Sequence, residues 1–192
     1  MTIHIHEDDW GMRNLHPLDA LPEASADVEQ AREAGERNRA PDGIGWTDAH
    51  LIKPPSKDYS AVGLRLETLH SALDGSMPRV SKFVSSASAG FDPRTEDPYG
   101  TCETDAHCYG FDEDCFLKIE PAGEYVKGIW FECRTSDNAR RNSLRRAIEM
   151  IDSLAPSAIS DYWNDMSGPV GDAHFLDEYF SELAIEEPDG EA

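Results

Sequence analysis

Two apolar runs separated by a four-residue turn do most to limit what this chain can fold into. Cys115–Glu120 and Tyr125–Cys133 flank Pro121-Ala122-Gly123-Glu124, and this arrangement predicts a β-hairpin closed by a Pro/Gly turn. On the second run Tyr125, Ile129, Phe131 and Cys133 share one parity, and Val126 and Trp130 share the other. Both sides are partly apolar, so the hairpin is expected at the centre of a sheet rather than at its edge.

The segments around it extend the pattern. Ile3 and Ile5 alternate with His4 and His6, which predicts a short strand with one buried side. Pro22 is placed to open a helix to about Arg39, on the surface because its apolar positions are weak. Residues 48–53 read as a strand broken by Lys53-Pro54-Pro55-Ser56. Val62, Leu66, Leu69 and Leu73 predict a core-facing helix from Ser60 to Leu73, although Val62, Leu64 and Leu66 also alternate like a strand; residues 79–90 predict a further strand. Residues 91–114, with Pro93, Pro98, Gly100 and Gly110, read as a long irregular excursion.

Asp137 is placed to cap a helix reaching about Leu154, with Leu144, Ala147, Ile148, Ile151 and Leu154 as a one-sided stripe. Ile159, Tyr162, Trp163 and Met166 fall at helical spacing, and Ser167-Gly168-Pro169 reads as the start of a last helix. Strands lie mainly in the first two-thirds and helices gather last. The expected fold is α+β: an antiparallel sheet including the 115–133 hairpin, with helices packed on one face. Residues 1–185 are expected to form one domain, followed by an acidic disordered tail at 186–192.

Charge bears on function. Thirty-eight acids against 17 bases give a formal net charge of −21. This argues against nucleic-acid and anionic-membrane binding and favours a basic protein partner, attracted with a fast, salt-sensitive on-rate. The N-terminal residues lack the apolar core of a secretory signal and no run is long enough to span a membrane, so a cytoplasmic location is expected. The four cysteines, at 102, 108, 115 and 133, are expected to be thiols.

Several groupings bear on chemistry. Cys102, His107, Cys108 and Cys115 are zinc-type ligands, but their spacing lacks a CxxC knuckle, so no metal is expected there. His4 and His6 share a strand side near Asp8 and Asp9, like the H-x-H pair of some metal hydrolases. No nucleophile elbow, phosphate loop or dinucleotide fingerprint is present, and no cofactor is expected. Asp92, Glu96, Asp97, Glu103, Asp105, Asp112, Glu113 and Asp114 form an acidic set without the spacing of a calcium loop. They are the candidate partner-binding residues, with Trp10 and Trp46 as anchors. Arg134, Arg140, Arg141, Arg145 and Arg146 gather near one helix, where pairing with the chain's own acids is the expected fate.

In general design the chain resembles the bacterial immunity proteins that neutralise polymorphic or secreted toxins. The likeness rests on Glu7-Asp8-Asp9-Trp10-Gly11-Met12, the acidic segment 92–114, the 115–133 hairpin and Asp161-Tyr162-Trp163-Asn164-Asp165, with no alignable motif. It implies an inhibitor that covers the active cleft of a basic toxin or enzyme, with acidic side chains standing in for an anionic substrate. Two other readings compete: a metal-dependent hydrolase using His4, His6 and carboxylates, and an acidic housekeeping domain without a basic partner.

Overall fold

A computed structural model describes residues 1–41, 44–86 and 100–183. One sheet holds eight strands: β1 (Thr2–His6), β2 (Arg13–Pro17), β3 (Arg79–Ser86), β4 (Thr101–Asp112), β5 (Cys115–Ala122), β6 (Tyr125–Cys133), β7 (Ser157–Asp161) and β8 (Met166–Pro169). Their order is β1-β3-β4-β5-β6-β2-β7-β8. Among the described residues four α-helices accompany the sheet: α1 (Leu21–Arg37), α2 (Leu66–Leu73), α3 (Asn138–Leu154) and α4 (Ala173–Glu182). The class is α+β. The sheet is mixed rather than wholly antiparallel, because β1 and β3 pair in parallel.

The predicted hairpin is present, with Cys115 opposite Cys133 and Ile119 opposite Ile129 in its register, and it lies mid-sheet. Its parity sorts two cores. Leu117, Ile119, Ile129 and Phe131 point into the larger one, with Leu69 of α2, Leu144 and Ile148 of α3, and Leu176 and Tyr179 of α4. Phe116 and Trp130 point the other way and pack with Ile3, Phe83 and the partly buried Trp10.

The expectation that the helices share one face is corrected by β8. A Cβ on Gly168 would stand 2.6 Å from the Phe175 ring of α4. The next residue back, Ser167, donates to Ser25 of α1 at 2.9 Å. Successive strand residues face opposite sides, so α1 covers the side away from α4.

Local chemistry explains where other elements depart from the sequence reading. Residues 48–53 form no strand. The 60–73 helix begins only at Leu66, because residues 59–64 close as a turn on the Asp58 carboxylate and the positive φ of Gly63. Of the excursion expected at 91–114, residues 91–99 lie outside the described residues, and β4 occupies Thr101–Asp112; its outward acids hide the strand pattern. Residues 159–166 are not helical. Asp161 accepts the N–H groups of Trp163 and Asn164 at 2.8 and 3.1 Å and turns β7 into β8. The last helix therefore starts at Ala173, capped by Asp172, and not at 167–169. Asp137 caps α3 as expected, accepting from Ala139 and Arg140 N–H.

Candidate binding groove

A carboxylate-bearing helix creates this site. The chain leaves α1 at Arg37, and Trp46 returns to the helix, its indole Nε1 3.8 Å from the Cβ position of Gly35. Residues 46–57 then run back along α1 as a strap. The buried Asp27 accepts from the Lys53 N–H at 3.1 Å and from the Tyr162 hydroxyl at 2.9 Å, and lies 3.1 Å from His50 Nε2. Glu23 accepts from the Ser56 N–H and hydroxyl, and Asp19 pairs with Lys57. Burial acts to raise the Asp27 pKa, but the three hydrogen bonds overcome it and hold the carboxyl below its ordinary value.

Asp27→Ala leaves the Tyr162 hydroxyl and His50 without this partner. The expected cost is about 2 kcal/mol in urea unfolding, with faster chymotryptic cleavage at Trp46 or Leu51 than in the parent. Unchanged stability and cleavage would show that the strap is held elsewhere.

Between the fastened strap and the sheet lies a groove of about 650 Å³, within the range typical of small-molecule sites. Its floor is the side of β2, β5 and β6 that faces away from α3 and α4, including Asn14, His16, Gly128 and Trp130. Trp10 and Tyr162 contribute aromatic walls, and Ile52, Pro54 and Pro55 the strap wall. The floor's polar atoms are already engaged. Asn14 donates to the Gly11 carbonyl, His16 bonds Ser160 at 2.9 Å, and Glu120 accepts the Trp130 indole N–H at 3.1 Å.

Burial pushes His16 down to about 4, so the ring is neutral at pH 7. A histidine depressed in the folded state binds fewer protons there than in the unfolded chain. Its stabilising contribution is present above about 6.5 and is lost as pH falls toward about 4. His70 and His107, whose rings meet at 2.8 Å, are also lowered, chiefly by burial, and act in the same direction. His16→Gln is expected to flatten the fall in stability between those pH values, measured by urea unfolding at a series of pH values. An unaltered slope would assign the fall to other groups.

Comparison with protein-family models, curated proteins and solved structures finds no match.

The residues singled out in the sequence are not all brought together. Asp92, Glu96 and Asp97 lie outside the described residues. Glu103 is held 3.0 Å from the buried Lys118, which packs over Phe83 and Trp10. Asp112 pairs with Arg140 and Asp114 with Arg134. Glu113 sits in the exposed β4–β5 turn, and Asp105 is exposed with a φ of 55°. Trp10 is partly buried at the groove's end, whereas Trp46 is 66% exposed. Arg145 pairs with Glu149 and Asp177, so this part of the arginine group is neutralised internally.

Cys108 and Cys115 are buried and Cys102 is exposed. His4 bonds Ser86, and His6 lies 3.4 Å from Asp8. Among the described residues no group of three or more His, Cys, Asp or Glu side chains is placed to hold a metal ion. No helix among them is long and apolar enough to cross a membrane. Sequence reasoning missed Asp27, His16 and the strap; the Pro54-Pro55 break was their only visible trace.

Proposed function

We propose that this chain is a binding protein for a basic partner protein, acting in the manner of an immunity-type inhibitor by covering the partner's functional surface. The observation that carries the reading is the strap's outer side. Trp46 and Leu51 are 66% and 81% exposed there, although the strap's backbone is fastened to α1. Large apolar side chains displayed on a held backbone suit an interface core, where aromatic anchors supply most of the binding energy.

Charge supports the same partner. Glu33 and Glu36 of α1 and Asp48 of the strap are exposed near Trp46. Several of the chain's cations are engaged by its own acids, as with Arg13, Arg32, Arg65, Arg134 and Arg140. The remaining acid surplus attracts a cationic surface and steers its approach.

The test is capture from a lysate of the chain's own cells, with the purified protein immobilised. The expected result is one cationic protein retained at about 50 mM salt and released at about 0.5 M, where charges are screened within a few ångströms. Retention of only acidic or neutral proteins, or retention indifferent to salt, would contradict the reading.

A further inference from the structure

We infer that the groove beneath the strap binds a small aromatic carboxylate, a ligand separate from the protein partner proposed above. Charge is the first observation. The chain has only five lysines and acids in more than twofold excess, yet three of those lysines, Lys53, Lys57 and Lys127, line this one groove. They face two lining carboxylates, Asp58 and Glu120, and Lys57 has Asp19 as its partner, so the groove is close to neutral on a strongly anionic molecule and is where an anion is least repelled.

Both lining carboxylates are already committed. Asp58 accepts from the Ser60 and Ala61 N–H groups and the Ser60 hydroxyl, and Glu120 from the Trp130 indole. Lys57 is paired with Asp19. Lys127 on β6 already acts on the Asp58 carboxylate, and Lys53 on the strap makes no ion pair among the described residues, so Lys53, with Lys127 beside it, is the cation placed to meet an anion. Both line the groove, and the strap's end is bonded to β6 where the Tyr59 N–H reaches the Lys127 carbonyl at 3.3 Å.

The body of the ligand follows from the rest of the lining. Trp10, Trp130 and Tyr162 present rings, and Gly128 leaves the floor between them without a side chain. The floor's Asn14 and His16 have partners within the protein, so the interior asks for an apolar body and not a polyhydroxylated one. A flat ring over Gly128 with its carboxylate at the lysine-lined mouth satisfies both requirements.

The probe is 2-naphthoate, with 2-naphthylmethanol as its uncharged counterpart, titrated calorimetrically into the whole chain. Saturable one-to-one binding is expected. It should shift the indole N–H resonances of Trp10 and Trp130 and leave those of Trp46 and Trp163 in place. The alcohol and the Lys53→Gln/Lys127→Gln variant should each bind about tenfold more weakly. Gly128→Leu should abolish binding by filling the floor. It should also fold, because a Cβ there meets only Glu120 side-chain atoms at 3.8 and 3.9 Å, an ordinary contact. Absence of saturable binding up to about 5 mM, a millimolar limit, equal binding of acid and alcohol, or unchanged binding in Gly128→Leu overturns the inference. These arms use the purified chain alone, so their outcome is independent of whether a protein partner is captured.

Discussion

Replacing Arg13 with methionine is expected to lower the unfolding free energy by about 3–5 kcal/mol, the cost of leaving buried charge without its counter-ion. Arg13 is a charged residue at the start of the buried side of β2. Its Nε donates to Asp161 at 2.9 Å and its Nη1 to Glu132. Asp161 is fully buried and also accepts from the Tyr179 hydroxyl at 2.9 Å, so one guanidinium joins β2, β6, β7 and α4. Burial opposes the charge on Arg13, but the two carboxylates outweigh it and its pKa is raised.

The variant's pH dependence carries a second signature. Burial lifts Glu132 above the ordinary carboxyl range, against the opposing pull of Arg13 and Arg134. A carboxyl with a raised folded pKa favours the folded state at low pH, and that contribution is lost as pH rises through the folded value. Removing Arg13 raises Glu132 further, so the deficit of Arg13→Met should be larger at pH 8 than at pH 5. Urea unfolding at both pH values measures this. A loss below about 1 kcal/mol, the size of an exposed pair, would mean that the network does not tie the elements together.

The second large effect is at the β4–β5 turn. A Cβ on Gly110 would meet Phe116 Cβ, and would stand 2.8 Å from Phe116 Cα and 2.9 Å from the Cys115 carbonyl oxygen. Those neighbours are largely backbone of the adjacent strand and cannot swing aside. The ladder is also irregular between Gly110 and Asp112, where the strands approach closely. Gly110→Ala is therefore expected to cost about 3 kcal/mol or more by overpacking. Its thermal midpoint should fall by about 6–12 °C, well beyond that of Gly128→Ala, a strand glycine where an added Cβ makes only an ordinary contact with Glu120. Equal midpoints for the two variants would show that β4 and β5 can separate at this point.

Which parts of this fold could be read in advance follows from where the apolar signal was local. The 115–133 hairpin and α3 carry their own periodicity, turn and cap, so their sequence suffices. Strand β2 does not: in Arg13–Pro17 only Leu15 is a large apolar residue, and the buried Arg13 is intelligible only beside Glu132 and Asp161, more than a hundred residues away. β4 was obscured because its first half turns polar side chains outward and its apolar residues cluster near the end. Ile159, Tyr162 and Met166 mimicked a helix because a tight β-hairpin can place residues at similar spacings. The groove was least legible. Asp19, Glu23 and Asp27 look like the solvated acids of a surface helix, yet they fasten a strap 23 to 38 positions downstream.

The proposed function requires the strap's exposed Trp46 and Leu51 to be the contact surface for a cationic protein. The decisive measurement is the affinity of that captured partner for the parent chain and for Trp46→Ser/Leu51→Ser, by calorimetry at low salt. Both side chains are exposed, so the variant should fold and melt like the parent. An affinity loss of at least about 30-fold is expected, as for removing interface anchors. Equal affinities for the two proteins would contradict it.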